Sequence, residues 1–148
     1  MPVYSVNKKA KFDFELLETF EAGLILNGIE VKSIRSGQAS LKGAFVTFHN
    51  EAAFITNFHI PKYKFSGKVE NYEPERSRKL LLNRKEISYL RGKSQEKGLT
   101  IVPISLYTKG RHIKVELAVA RGKKKYDKRE AIKKKDLKRE LSHKIKEG

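Results

Sequence analysis

Hydrophobic and polar residues alternate near the start of the chain, which is the pattern of a half-buried β-strand. Phe12, Phe14 and Leu16 alternate with acidic residues, and this alternation continues toward Phe20. Residues 1–8 are polar and carry no such pattern. They are therefore expected to form an extension ahead of the first strand.

Two later segments space their apolar residues as short amphipathic helices do. The first runs from Leu24 to a stop signal at Gly37, with apolar residues three, four and seven positions apart. The second follows Asn83, an N-cap type of residue with Glu86 three positions later, and it closes at Gly98. The spacing thus predicts two short helices.

Four other runs have the β-branched and aromatic content of strands. They are residues 45–49, 53–58, 100–107 and 113–120. Asn50-Glu51 offers the turn chemistry of a hairpin between the first two runs, and residues 108–111 supply the turn between the last two. Residues 62–78 contain Gly, Pro and many charges without a sustained period, so a long loop is expected there.

These elements favour an all-β core. About five or six short strands in residues 1–120 are too many for a helical bundle, and their connections are too local for a doubly wound parallel sheet. We therefore predict a small closed antiparallel β-barrel of the oligonucleotide-binding type (OB-fold-like), with two or so short helices, over residues 1–120.

Residues 121–148 differ from the barrel and form a basic tail. They hold 13 Lys and Arg and 5 Asp and Glu, whereas the whole chain of 148 residues holds 33 and 17. Leu137, Leu141 and Ile145 lie four positions apart, so a basic amphipathic helix is available, but so narrow an apolar stripe should not fold alone. We expect the tail to be disordered in free solution and helical on a polyanion.

The net charge of +16 requires a polyanionic partner, either nucleic acid or an anionic membrane. The chain has no Trp, and the narrow apolar stripe of the tail disfavours a membrane-surface helix. Basic and aromatic residues interleave in Tyr63-Lys64-Phe65 and in residues 123–129, which pairs phosphate contact with a stacking surface. Nucleic acid is the better partner. With no apolar run of membrane-spanning length and no signal peptide, a cytoplasmic protein is expected.

Nothing in the sequence has the form of an enzyme active site. The absence of Cys excludes disulfides, thiolate zinc sites and a Cys nucleophile. The four His residues lack metal-ligand spacing, and no Gly-rich phosphate motif or paired carboxylates are present. We expect no catalysis, metal or cofactor. His59 stays open: it ends a strand, where its ring could reach a ligand or fix a barrel corner by a hydrogen bond.

Four blocks of residues, in this order and at these intervals, resemble a known family. They are residues 20–24 (Phe-Glu-Ala-Gly-Leu), 28–35, 78–83 and 122–129. Over nearly the whole chain they are similar to the SsrA-binding protein family, also called small protein B. The resemblance implies a non-enzymatic, oligonucleotide-binding-type barrel. It would bind the tRNA-like part of transfer-messenger RNA (SsrA RNA) and carry it, in trans-translation, to ribosomes stalled without a stop codon.

In the barrel, the resemblance implies RNA contacts by Glu21, Leu81 and Asn83. Asn83 can make directional bonds to base or ribose groups, and Leu81 offers apolar contact. Glu21 can accept a bond from an amino group or position a nearby Lys. Each residue also has an ordinary structural alternative, which is a helix cap for Asn83, core packing for Leu81 and a strand-end charge for Glu21.

In the tail, the resemblance implies ribosome and RNA contacts by Gly122, Lys123, Lys124, Tyr126, Asp127, Lys128 and Arg129. The family's tail enters the vacant mRNA channel and decoding region of the stalled ribosome and becomes helical there. Tyr126 occupies a position where many members have His. A role in aromatic stacking is therefore still possible for this residue, whereas a role that needs imidazole chemistry is not. The implied companion is elongation factor Tu with GTP, and a monomer is expected.

Two other functions remain open at the level of sequence. A structural ribosomal or initiation-type protein would bind ribosomal RNA permanently and would accompany all ribosomes. A small ribonuclease using His and Lys would cleave RNA, and His59→Ala would abolish that cleavage.

Overall fold

The computed structural model describes residues 3–123, and these form a seven-stranded antiparallel sheet with three helices. The elements are β1 Val3–Val6, α1 Lys8–Asp13, β2 Phe14–Leu24, α2 Gly28–Arg35, β3 Phe45–His49, β4 Ala52–Thr56, β5 Arg78–Leu81, α3 Arg84–Gln95, β6 Leu99–Lys109 and β7 His112–Gly122. The strand order is β1-β6-β7-β2-β5-β4-β3, and every pair is antiparallel. None of the helices described in residues 3–123 is long and apolar enough to cross a membrane.

Both predicted helices begin with a capping box, in which side chains bond to the backbone at the helix N-terminus. Asn83 caps α3, since its Oδ1 accepts a bond of 2.8 Å from Glu86 N, and the Glu86 carboxylate accepts from Asn83 N in return. Asn27 and Glu30 make the same reciprocal pair at α2. The helix predicted from Leu24 is α2, and it begins at Gly28 because Leu24 still pairs with β5.

The predicted hairpins and the long loop are confirmed. Asn50 and Glu51 both have positive φ, at 49° and 64°, which is the conformation of the tight turn that matches strand twist, and they join β3 to β4. β6 and β7 pair along almost their full length, with the turn at Gly110-Arg111. Residues 57–77 contain no helix or strand named above.

The N-terminal prediction is wrong in two respects. The expected polar extension contains β1, which pairs with the edge of β6, and it leads into α1. Phe12 lies in α1, so the β2 strand begins only at Phe14. β1 is held by backbone hydrogen bonds to a neighbouring strand, and its side chains are mostly not buried. Such a strand leaves no hydrophobic period in the sequence.

The core lies inside the curved sheet. Its buried apolar side chains come from nearly every element and include Ile34, Leu41, Ile55, Phe58, Leu80, Leu90, Ile101, Leu106, Val115 and Leu117. A smaller cluster on the other face of β6 and β7 is covered by α1 and contains Ala10, Val102, Ile104, Ala118 and Ala120. The remainder of that second face, which we call the outer face, is not covered by α1 and is available for binding.

The predicted closed barrel is not closed in the structure. β1 and β3 are the two edges of the sheet, and β3 approaches β6 without forming a ladder with it. The physical reason is that β1 pairs with residues 105–107 of β6, while Asn7 bonds to the carbonyl groups of Pro103 and Ile104. Pro103 has no N–H to offer to β3. The edge of β6 is therefore occupied.

Asn7 joins the two sides of this opening. Its buried side chain donates from Nδ2 to Pro103 O at 2.9 Å and to Leu41 O at 3.2 Å, so it links β6 to the segment before β3. Its Oδ1 accepts from Ala10 N at 3.1 Å and caps α1. One amide thus satisfies three buried backbone groups.

Replacing Asn7 with Ala should lower the free energy of unfolding by about 2–3 kcal/mol, since two buried carbonyls and a helix N-terminus lose their partners. Urea unfolding monitored by far-UV circular dichroism measures the loss. Asn7→Asp keeps the cap acceptor but removes both donated bonds, so it should be almost as destabilising. A loss below about 0.5 kcal/mol in both variants would show that Asn7 does not hold the opening together.

A buried ion pair joins α2 to β5. Glu30 and Arg78 are both 0% exposed, and Arg78 Nε donates to Glu30 Oε2 at 2.6 Å. Arg76 adds two further bonds to the same carboxylate. Arg78 also donates to Phe58 O and, at 2.9 Å, to Pro74 O, so it fixes both ends of the 57–77 loop.

Candidate nucleic-acid interface

One row of side chains crosses the outer face of four strands. The register aligns Tyr107 of β6 with Lys114 of β7, Lys114 with Gly23 of β2, and Gly23 with Leu81 of β5. Leu81 is 53% exposed and is absent from the core. Its core-packing alternative is thereby excluded, and Leu81 offers apolar surface to a ligand.

Gly23 allows this row to pack closely. A Cβ atom at this position would lie 3.2 Å from Leu81 Cδ1, 3.3 Å from Leu81 Cβ and 3.5 Å from Lys114 Nζ. Glycine therefore lets an apolar and a cationic side chain lie side by side against the sheet. The sequence contained this glycine in the Glu-Ala-Gly block but offered no indication of what it accommodates.

Glu21 lies two residues before Gly23 on the same face and is already paired. Its carboxylate accepts a hydrogen bond from Tyr107 Oη and another, at 3.3 Å, from Lys109 Nζ. The bond from Tyr107, together with the charges of Lys109 and Lys114, lowers the pKa of Glu21 despite some desolvation. Desolvation and the bond to Glu21 raise the pKa of Tyr107. Glu21 is thus an ionised residue that orients Tyr107 and Lys109.

The capping bond of Asn83 uses only one end of its side-chain amide. Its Oδ1 caps α3, whereas its exposed Nδ2 has no hydrogen-bond partner among residues 3–123. Two residues beyond Leu81, it continues the β5 register toward the position opposite Glu21. The structure therefore brings Glu21, Leu81 and Asn83 to one exposed face. We call this face the RNA face because it holds the three residues predicted to contact RNA.

A groove of about 180 Å³ borders the RNA face on the side of α2. Two arginines and one lysine line it, Arg35 from α2, Arg111 from the β6–β7 turn and Lys114 from β7. The other lining residues are Gly23, Leu24, Leu26, Val31, Leu81, His112 and Ile113. Arg35 Nη2 donates to Arg111 O at 3.4 Å, which ties the turn to the helix. None of the described residues lining this groove is acidic. Cationic groups above an apolar floor can contact phosphate and an unstacked base together.

Comparison with known proteins identifies the family. The sequence pattern of the SmpB protein family matches residues 4–147. The SsrA-binding protein of Persephonella marina is 51% identical over 144 residues, covering 97% of this chain and 94% of its own. That of Shouchella clausii is 49% identical over 145 residues, covering 98% and 92%. The chain belongs to the SmpB protein family.

A solved structure described as "tmRNA-SmpB: a journey to the center of the bacterial ribosome" contains a chain with the same fold. It superimposes on this family member with a TM-score of 0.70 and 42% sequence identity, covering 89% of this chain and 95% of that chain. The resemblance inferred from the four sequence blocks is therefore confirmed.

Of the seven family-motif residues predicted in the tail, the structure describes only the first two. Gly122 is the last residue of β7 and pairs with Phe14, so the strand continues past the predicted end of the barrel at residue 120. Lys123 N donates to Asp13 O at 2.8 Å, and Lys123 Nζ to Lys11 O at 3.4 Å. Lys124, Tyr126, Asp127, Lys128 and Arg129 lie outside the described residues, as does the predicted amphipathic helix.

His59 lies at a corner of the fold. Its backbone N and O bond to Ser40 at 3.2 and 2.9 Å, and its exposed ring lies 3.4 Å from the Glu75 carboxylate. The backbone bonds to Ser40 support the corner-fixing alternative. Within residues 3–123, no cluster of His, Cys, Asp or Glu could hold a metal ion.

Proposed function

We propose that this chain is a non-enzymatic RNA-binding adaptor of trans-translation. Its RNA face, with Glu21, Leu81 and Asn83, binds the tRNA-like part of transfer-messenger RNA, and the chain delivers that RNA to stalled ribosomes. The observation that carries the proposal is their convergence on one exposed face, in a chain half identical to SsrA-binding proteins. Elongation factor Tu with GTP would share the complex, and the protein would act as a cytoplasmic monomer.

The RNA face supplies both positioning and selectivity. Lys114, Arg35 and Arg111 offer charge to phosphates, which positions an RNA without reading it. Leu81 and the free amide of Asn83 offer apolar contact and directional bonds, which depend on the shape of the RNA. Glu21 holds Tyr107 and Lys109 in place beside them. A folded RNA with exposed bases suits this combination better than a regular duplex.

The tail would act at the other end of the protein. The groove lies at the start of β7, whereas the tail leaves from its end, and the 11 residues of β7 span about 33 Å. An RNA on the groove side would therefore leave the tail free for a second partner. We propose that the tail, including Lys124, Tyr126, Asp127, Lys128 and Arg129, occupies the vacant mRNA channel and decoding region and becomes helical there, as its phosphate contacts form.

Competition binding at physiological salt tests the RNA face. Transfer-messenger RNA should bind about a hundredfold more tightly than elongator tRNA or unstructured RNA of similar length, a preference of about 2.7 kcal/mol. Leu81→Ala should reduce the affinity for transfer-messenger RNA about tenfold. Asn83→Ser should do the same without loss of stability, because Ser also caps a helix but has no amide to donate.

The matched control for Leu81→Ala is Val3→Ala. Val3 is similarly exposed, at 58% against 53%, but it lies on β1, four strands away from β5. It should not change the affinity. Equal affinities for all three RNAs, falling together with salt, would contradict the proposal and favour a general ribosomal RNA-binding protein.

A further inference from the structure

The 57–77 loop presents an aromatic side chain to solvent. Phe65 is 73% exposed, more than any other large apolar residue among residues 3–123. It lies within residues 62–68, a segment with Lys62, Lys64 and Lys68 and no acidic residue. We call this segment the aromatic loop. Nothing in the proposed function uses it.

Internal bonds give the aromatic loop a defined shape. Ser66 N donates to Tyr63 O at 3.0 Å, and the Ser66 hydroxyl donates to the same carbonyl. Lys62 Nζ donates to Gly67 O, and Gly67 has φ of 70°, which lets the chain reverse. The loop is thus a closed turn that holds Phe65 at its tip. A preformed turn loses little conformational entropy when a ligand binds.

The side chains around Phe65 match the requirements of a base-stacking site. The Tyr63 ring packs edge-on against Phe65 with centroids 5.5 Å apart, which fixes the orientation of the Phe65 ring. Lys64 Nζ lies 4.8 Å from the ring centroid. Phe65 is 73% exposed even with this cation over its ring, so the ring can stack a nucleobase while the cation contacts the adjoining phosphate. A purely acidic partner would leave the ring without a complement, and a purely apolar partner would leave the lysines without one.

We propose that the aromatic loop is a second RNA-binding site, at which Phe65 stacks one unpaired base of a single-stranded RNA segment. Lys62, Lys64 and Lys68 contact the phosphates on either side of that base. A double-stranded RNA cannot use the site, because its bases are already stacked on one another. The site is independent of Leu81 and Asn83, so it adds a contact to the RNA face and does not replace it.

The absence of Trp from the chain allows a direct test. Phe65→Trp creates a single tryptophan whose fluorescence reports stacking at this position in the full-length protein. A single-stranded oligoribonucleotide of roughly ten nucleotides should quench it. A duplex RNA of equal length should bind through charge without quenching. Phe45→Trp, at an exposed aromatic position on β3, is the matched control and should be quenched by neither RNA.

Affinities give the second measurement. Phe65→Ala should weaken binding of the single strand about tenfold and change duplex binding less than twofold, while Phe65→Trp should retain wild-type affinity. Equal quenching by single strand and duplex, or unchanged single-strand affinity in Phe65→Ala, would overturn the proposal. Neither result would affect the RNA face, whose test is the Leu81→Ala variant with transfer-messenger RNA.

Discussion

Replacing Arg78 with Met is expected to lower the free energy of unfolding by about 3–5 kcal/mol, the largest single-residue effect that we predict on stability. The substitution leaves the fully buried carboxylate of Glu30 with Arg76 as its remaining cationic partner. It also deprives Phe58 O and Pro74 O of a donor. Losing one partner of a buried charge costs more than lost packing, and Met conserves most of the packing volume.

Chemical denaturation measures this loss, and Lys79→Met is the matched control. Lys79 is the next residue on β5 and is exposed, so its replacement should change stability by less than about 0.5 kcal/mol. A double variant, Glu30→Gln with Arg78→Met, should lose less stability than the sum of the losses in the two single variants, since it removes both charges. An Arg78→Met protein as stable as the Lys79→Met protein would contradict this account.

The same pair predicts a pH dependence. Burial by itself would raise the pKa of Glu30, but hydrogen bonds from Arg76, Asn27 and Arg78 lower it below the ordinary value of 4.5. A lowered pKa in the folded state means that the stabilisation is present above the ordinary carboxyl pKa and is lost as the pH falls through the folded value. When unfolding is measured from pH 7 downward, the denaturant concentration at the midpoint should therefore decrease once the pH is below about 4.5. The decrease should be smaller in Glu30→Gln.

Removing residues 124–148 is expected to abolish tagging of stalled nascent chains while leaving selective RNA binding largely intact. The truncation keeps every strand and helix of residues 3–123 and also keeps Lys123, whose backbone N donates to Asp13 O at the end of the sheet. The removed segment holds 11 Lys and Arg and 5 Asp and Glu. Its loss lowers general affinity for RNA and the salt dependence of binding, but it leaves the RNA face unchanged.

In vitro translation of an mRNA without a stop codon, with transfer-messenger RNA added, measures tagging. A full-length variant with Lys128→Ala and Arg129→Ala should tag poorly. Lys138→Ala with Arg139→Ala is the matched control, because it removes the same charge outside the family motif of residues 122–129. If the truncated protein supports tagging at the wild-type rate, the tail has no part in recognising the vacant channel.

Local chemistry explains why many elements could be predicted. The turn of the β3–β4 hairpin, the alternation along residues 113–120 and the Asn83-Glu86 capping box each depend on residues close together in the chain. Such signals are complete within a short window. The same holds for the exclusion of thiolate chemistry, which needs only the absence of Cys.

The resemblance to the family identified residues of the candidate site but not their arrangement in space. Glu21, Leu81 and Asn83 were chosen because they lie in family blocks, and their roles in RNA binding stay predictions. The capping role of Asn83 was predictable from Glu86, three residues later. The groove residue Arg111 was missed, since residues 108–111 had been interpreted only as a turn.

By itself, the sequence determined the family, the positions of most strands, the N-cap of α3 and the surplus of positive charge. Only the tertiary structure decided that Glu30 is buried, that β1 occupies the edge of β6 and leaves the barrel open, and that β2 and β5 bring Glu21, Leu81 and Asn83 to one face. The physical reason is sequence distance. Strand pairing and charge burial join residues tens of positions apart, and the free energy of those contacts depends on the partner, which no local pattern identifies.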